Sequence, residues 1–340
     1  MRAFRFVCTA SILLLLSGVA IAAPGDDIYA HPGLLSPAGD GARLNLVCMG
    51  TGSPTVVFDS GWEDWAPAWA VVQPRVAKFT RACSYDRAGA GFSTAGPMPR
   101  TSLRIADELH TALRNAHVAG PYILVGHAFG GDNVRAFADR YMADVAGLVM
   151  VEADPVDLQS KARQDEDHGK IVPLMTELRA CRDAIAAHKK LPPLTKDSKR
   201  SCAQQFFRGI PDEDWSPALN AKLLEIATTK TTLYDAYSSE MEQSPQDEAY
   251  LRAHARSFGA RPIRVLTTGY HGHARLESKR GWKADEIRYQ RDIAEAQARW
   301  LNLSSNARQE VTGRSSEYLP FDQPDFVVTA IREVHDGARR

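Results

Sequence analysis

The chain has 340 residues, enough to bury a large core as one large domain or two. Hydrophobic residues make up 44% and charged residues 24%, ordinary values for a globular protein. Lys plus Arg equals Asp plus Glu at 41 each. A nucleic-acid or anionic-membrane partner would require a clustered basic excess, so this balance argues against both.

Residues 1–23 have the pattern of a secretory signal peptide. Two arginines precede an apolar run at 7–20, and small residues at 20–23 offer a cleavage site. An uncleaved anchor needs about 20 apolar residues, and two serines interrupt this shorter run. We therefore expect an exported protein, periplasmic or secreted, with no membrane span in the mature chain.

The mature chain alternates strand-like and helix-like segments. Residues 24–41, rich in Gly, Pro and Asp, are expected to be a poorly ordered lead-in. Later strands are expected at 43–48, 55–58, 82–86, 122–125, 146–151, 262–268 and 307–312, and helices at 69–77, 101–118, 134–141, 284–303 and 325–334. Such alternation implies a mostly parallel sheet with right-handed crossovers.

Residues 155–260 interrupt this alternation with a helical, charged, strand-poor stretch. The natural interpretation is a helical cap, or lid, inserted over the mouth of a site. The core then consists of residues 24–154 and 261–340.

Residues 121–131, PYILVGHAFGG, have the pattern of a nucleophile elbow: a buried strand, a glycine-rich turn and a helix. Gly126 and Gly130 are expected where a Cβ would clash with the closely packed strand and helix. The nucleophile position of this motif is occupied by Ala128. A methyl group cannot attack a carbonyl, so the scaffold for nucleophilic catalysis lacks its nucleophile.

Five segments carry a wider resemblance: PTVVFDSGWEDW, RACSYDRAGAGFS, GPYILVGHAFGG, VAGLVMVEADP and SSEYLPFDQPDFVVTAI. Their order and spacing resemble the α/β-hydrolase family, within it the exported bacterial esterase-like hydrolases, over roughly residues 42–335. The resemblance implies an α/β class protein with a mostly parallel eight-stranded sheet, flanking helices and an inserted cap. It also implies a small ester-like or apolar ligand, with neither a metal nor an organic cofactor.

The resemblance assigns an oxyanion hole to the backbone N–H groups of Trp62 and Phe129. It places the triad acid after one of two sheet strands, and the segment 266–271 contains no carboxylate. Glu152 is therefore the favoured candidate and Asp154 the alternate. The alternative for Glu152 is a structural carboxylate that caps or ion-pairs the following segment.

The base position of the family falls on Glu317. Loss of the serine alone is compatible with an engineered inactive variant, whereas loss of serine and histidine together favours natural divergence. In a well-studied protease, loss of Ser or His alone lowers turnover about 10⁶-fold, leaving about 10³-fold over water. The expected protein is an esterase-like pseudo-enzyme or ligand binder.

Two alternatives stay open. The first is an active hydrolase, lyase or isomerase with a relocated base, His271 or His273, or a carboxylate-activated water. A metal site from the same ligand types is not favoured, because His-x-His alone is a weak signal. The second is a partner-binding role of the cap helices, for which nothing specific is present. His127, beside the elbow, is expected to point into packing.

Four cysteines follow the signal segment: Cys48, Cys83, Cys181 and Cys202. An even number in an exported protein indicates disulfides, with three possible connectivities. Cys48–Cys83 and Cys181–Cys202 are favoured, because the first two lie in strands that neighbour each other in this fold and the second two bracket one polar loop. Four buried free thiols are the alternative.

Overall fold

The computed structural model describes residues 25–153, 161–193, 199–207, 212, 215–268 and 284–339. Side chains are described from residue 172 onward within 161–193 and from residue 291 onward within 284–339. The predicted signal peptide, Asp154, His271 and His273 lie outside the described residues. Over the described ranges, no helix is both long and apolar enough to cross a membrane.

One eight-stranded sheet, in the order β1-β2-β4-β3-β5-β6-β7-β8, organises the chain. Its strands are β1 (Leu34–Gly39), β2 (Ala42–Met49), β3 (Thr55–Asp59), β4 (Ala82–Asp86), β5 (Tyr122–His127), β6 (Val145–Val151), β7 (Ile263–Thr268) and β8 (Ala307–Thr312). Strand β2 runs antiparallel to β1 and β4, and all other pairings are parallel. The predicted mostly parallel eight-stranded sheet is confirmed.

The helices are α1 (Gln73–Val76), α2 (Ser102–Asn115), α3 (Gly130–Arg140), α4 (Lys161–Ala186), α5 (Pro217–Thr229), α6 (Thr231–Ala253), α7 (Ala284–Gln297), α8 (Leu319–Asp322) and α9 (Pro324–Ala338). The predicted helix at 69–77 is present only in part. A 3₁₀ turn at Ala66–Trp69 and the single turn of α1 occupy this region, each with a proline in its first turn. Proline lacks the N–H that a continuous helix would need at these positions.

The disorder expected for residues 24–41 is wrong for residues 25–41, which the structure describes. They form a 3₁₀ helix at Asp26–Ala30 and the edge strand β1, which pairs with β2. Tyr29 is buried and donates a hydrogen bond to Gln73 (2.8 Å). Proline and glycine in β1 are compatible with a strand because an edge strand leaves one row of backbone groups unpaired.

Helices cover both faces of the sheet and form two hydrophobic clusters. On one face, Phe58 and Val125 pack with residues of α5, α6 and α9. On the other, Val57 and Leu124 pack with residues of α2 and α3. Every residue of β3 and β5 is buried, as expected of central parallel strands.

Both predicted disulfides are present. Cys48 and Cys83 occupy paired positions of β2 and β4 with their Cα atoms 4.1 Å apart. Cys181 of α4 is joined to Cys202 with a Cα–Cα distance of 5.9 Å.

Candidate functional site

The elbow lies between β5 and α3, where Ala128 has a φ of +46°. The left-handed conformation is costly for a residue with a Cβ and is typical of positions that a functional turn imposes. A Cβ on Gly126 would lie 2.5 Å from the carbonyl oxygen of Gly130, and one on Gly130 would lie 2.5 Å from that of Asp59. Only glycine permits this close approach of helix and strand.

The turn after β3 presents the first expected oxyanion donor. Arg87 donates from Nη1 to the carbonyl oxygen of Ser60 (2.7 Å) and from Nη2 to that of Gly61 (2.9 Å). The carbonyl and N–H of a trans peptide point in opposite directions, so the Trp62 N–H points away from Arg87. Within the described part of the chain, neither this N–H nor that of Phe129 donates a hydrogen bond.

Arg87 itself is buried between two carboxylates. It contacts Asp59 at 3.0 Å and Glu240 of α6 at 2.9 Å. Burial raises the pKa of Asp59 to about 6, opposed chiefly by the charge of Arg87. Two further contacts tie the turn to α6: the Trp62 indole donates to the carbonyl oxygen of Tyr237 and the Tyr237 hydroxyl donates to that of Asp64, both at 2.9 Å.

Glu152 follows β6 directly and is buried, with a φ of +43°. Its Oε2 accepts a hydrogen bond from the backbone N–H of Thr268, the last residue of β7, at 2.6 Å. Burial raises the pKa of Glu152 to about 7, against the hydrogen bonds from Thr268. The carboxyl therefore lies at the carboxyl edge of the sheet but bonds to a neighbouring strand, a contact that a structural role also explains.

Glu317 lies in the turn between β8 and α8, with an exposed side chain. Its carbonyl oxygen is 2.9 Å from Nε2 of His127, beside the elbow. Its negative charge contributes to the raised pKa values of Asp64 and Glu152. The fold thus brings the residue at the base position to the elbow and within electrostatic reach of the candidate acid.

The side chains of His127 and Asp64 complete the surroundings of Ala128, and no role was predicted for Asp64. His127 packs edge-on against Trp69, as expected, but an ideal Cβ on Gly61 would lie only 3.1 Å from its Nδ1. The same point lies 3.5 Å from the Ala128 methyl and 3.5 Å from Oδ2 of Asp64. The sequence signal for Asp64 is an acidic pair, Glu63-Asp64, directly after Trp62.

Burial controls the protonation of both residues. Desolvation lowers the pKa of His127 to about 4 and raises that of Asp64 to about 8. The pKa of Glu63 is raised to about 8 by burial and by the charge of Asp64. At neutral pH, this acidic pair is therefore largely protonated and the imidazole is uncharged. Among the residues that the structure describes, no group of three or more His, Cys, Asp or Glu side chains is arranged to hold a metal ion.

Residues 54–172 match the protein-family model described as the alpha/beta hydrolase fold. The chain is 31% identical over 160 residues to an uncharacterized protein of Schizosaccharomyces pombe, covering 38% of this chain and 30% of that protein. It is 32% identical over 107 residues to the uncharacterized protein YqjL of Bacillus subtilis, covering 30% of this chain and 41% of that protein. The chain thus spans less than half the length of these curated relatives.

Solved structures match over nearly the whole chain. The epoxide hydrolase CorEH superposes with a TM-score of 0.61 at 16% identity, covering 91% of this chain and 99% of that one. A thermophilic esterase from Thermogutta terrifontis superposes with a TM-score of 0.57 at 18% identity, covering 90% and 99%. At such identities the likeness shows the fold alone: the chain has the α/β-hydrolase fold.

Proposed function

We propose that this protein of α/β-hydrolase fold binds a small molecule in a site related to those of carboxylic-ester hydrolases, and does not form a serine acyl-enzyme. The observation that carries the proposal is Ala128, held at a φ of +46° between β5 and α3. The turn has the strained geometry of a nucleophile elbow, yet its side chain is a methyl group.

The residue at the base position supports the same proposal. Glu317 is a carboxylate close to two other carboxyl groups, those of Asp64 and Glu152. It cannot act as the neutral imidazole of a Ser-His pair. His127 does not replace it, because an imidazole with a pKa of about 4 is a weak base at neutral pH. The oxyanion donors and the binding site are what the chain retains.

The test is hydrolysis of a short-chain chromogenic acyl ester by the native chain, Ala128→Ser, Glu317→His and the double variant. We expect the native chain and both single variants to be inactive. The double variant should turn over and incorporate a serine-directed inhibitor, because both members of the pair are needed. Ester turnover by the native chain, abolished in Glu317→Ala or His273→Ala, would contradict the proposal and indicate a relocated catalytic group.

We further propose that the protein is exported and that residues 155–260 form a cap on a core of 24–154 and 261–340. Two disulfides support export, since such bonds persist in oxidising compartments. Helices α4, α5 and α6 within the 155–260 segment support the cap. Mass spectrometry of the mature N-terminus tests the export proposal: cleavage after residues 20–23 is expected, and an intact N-terminus in the exported fraction contradicts it.

A further inference from the structure

Four hydrogen-bonding groups around Ala128 have no partner among the residues that the structure describes. Two are the backbone N–H groups of Trp62 and Phe129. The others are Nδ1 of His127 and Oδ1 of Asp64, on side chains that are each only 3% exposed. A buried polar atom without a partner costs about 1–3 kcal/mol, so several such atoms in one place need an explanation. Proteins tolerate this cost where a ligand supplies the missing partners.

The roles of the two side chains follow from their contacts and protonation. His127 donates from Nε2 to the carbonyl oxygen of Glu317, so its neutral ring has Nδ1 as a free acceptor. Burial raises the pKa of Asp64 to about 8, opposed by the charge of Arg87 and by a hydrogen bond from the backbone of Phe207, so the carboxyl is protonated at neutral pH. Its Oδ1 has no partner among the described residues. Together with the two N–H groups, the site offers donors and acceptors but no net charge of its own.

The geometry brings these side chains to one point. An ideal Cβ on Gly61 would lie 3.1 Å from His127 Nδ1 and 3.5 Å from both the Ala128 methyl and Asp64 Oδ2, the oxygen that shares a carboxyl group with the unpartnered Oδ1. Gly61 also precedes Trp62, whose N–H is an oxyanion donor. A ligand placed with its carbonyl oxygen at the N–H groups therefore has its neighbouring atoms beside His127 and Asp64.

We propose that this site selects an uncharged molecule that carries a carbonyl group with an adjacent N–H or O–H donor, a primary amide being the simplest example. The carbonyl oxygen accepts from the N–H groups of Trp62 and Phe129, and the adjacent donor binds His127 Nδ1 and the Asp64 carboxyl. The inference rests on the proposed function, because it needs an elbow that binds a carbonyl without attacking it.

Charge selects against anions at the same site. The negative charge of Glu317 contributes to the raised pKa values of Glu152 and Asp64. The only buried cation described beside the turn, Arg87, is already paired with Asp59 and Glu240. A ligand carboxylate would thus meet the negative charge of Glu317 without a free cation to offset it.

The experiment compares three probes with the same acyl chain: butyramide, methyl butyrate and sodium butyrate. Binding of each to the mature protein at pH 7 is followed by NMR shifts of the tryptophan indole signals. We expect butyramide to bind about tenfold more tightly than methyl butyrate, which lacks the donor, and than butyrate, which carries the charge. Butyrate binding as tightly as butyramide, or no binding of butyramide, would overturn the proposal.

Three variants locate the binding. Gly61→Ala removes no polar group but places a methyl between His127 and Asp64, so butyramide affinity should fall about tenfold or more. Asp64→Leu should cause a similar loss, whereas Asp64→Asn, which keeps a donor and an acceptor, should bind within about threefold of the native chain. Thermal unfolding checks that each variant is folded.

Unchanged butyramide binding in folded Gly61→Ala would overturn the assignment of the site. This result is separable from failure of the proposed function, which would show itself as hydrolysis of methyl butyrate by the native chain.

Discussion

Arg87 and Glu240 form a buried ion pair with two contacts, and it joins the turn after β3 to helix α6. Nε contacts Oε1 at 2.9 Å and Nη2 contacts Oε2 at 3.1 Å, with side chains 2% and 0% exposed. The same guanidinium donates to the carbonyl oxygens of Ser60 and Gly61. The direction of the Trp62 N–H therefore depends on a residue 153 positions away from Arg87 in the chain.

Glu240→Ala should destabilise the protein by about 3–5 kcal/mol, because it leaves part of a buried guanidinium without its partner. Glu333→Ala is the control: Glu333 pairs with Arg264 but its side chain is 44% exposed, so a loss of about 1 kcal/mol or less is expected. Urea unfolding measures both. Equal losses in the two variants would show that the Arg87–Glu240 contact is no stronger than a surface pair.

Asp64→Asn should alter how stability depends on pH. The carboxyl has a pKa of about 8 in the folded protein and about 3.9 in an unfolded chain, so between these values the folded state binds more protons. Its contribution to stability is complete below pH 4 and is lost as the pH rises through 8. The native chain should therefore lose stability between pH 6.5 and 8.5, and the variant should lose up to about 2 kcal/mol less.

The pH window is chosen to exclude His127. Burial lowers the pKa of His127 to about 4, so this residue destabilises the fold only as the pH falls below about 6.5. Asp325→Asn is the control, at a carboxylate that is 92% exposed. It should change the free energy of unfolding by the same amount at pH 6.5 and at pH 8.5. Parallel curves for the native chain and Asp64→Asn would contradict the raised pKa of Asp64.

Gly126→Ala should destabilise the elbow by about 3 kcal/mol or more. Its Cβ would lie 2.5 Å from the carbonyl oxygen of Gly130 and 2.8 Å from Cα of Gly131, and a backbone contact of this kind cannot be relieved by rotating a side chain. In Gly337→Ala, near the end of α9, the Cβ meets only Pro262 at 3.5 Å. This control should be neutral or stabilising by up to about 1 kcal/mol. Similar thermal midpoints for the two variants would argue against a tightly packed elbow.

Replacing Cys181 and Cys202 together by alanine should cost about 3 kcal/mol in oxidising buffer, since the bond closes a loop of 21 residues. In reducing buffer the difference between the variant and the native chain should vanish. Alkylation followed by mass spectrometry gives an independent check, in which none of the four cysteines reacts before reduction. A difference in stability that persists after full reduction would mean that packing of the thiols, rather than the disulfide, is responsible.

Much of the fold could be predicted from local patterns. The strand at 307–312 has the expected bounds, and Thr101 caps α2 through its side chain, which accepts from the N–H of Arg104. Only Gln73–Val76 of the helix expected at 69–77 is α-helical, because Pro74 cannot donate the N–H that a longer helix needs. The disorder expected at 24–41 was wrong, because pairing with β2 orders this segment. β1 and β2 form a hairpin through the two-residue turn Asp40-Gly41, a local signal that a judgement from Gly, Pro and Asp content alone does not use.

The candidate site likewise has features that the sequence predicts and features that only the tertiary structure sets. The glycine spacing of the elbow, Ala128 in its centre and Glu317 after the last strand are properties of the sequence itself. The contact of His127 with Glu317 joins residues 190 positions apart, and the position of Asp64 beside them depends on the turn that Arg87 holds. Local spacing determined the motifs. Only tertiary structure decided their protonation and partners, because desolvation and long-range contacts arise from packing of distant segments.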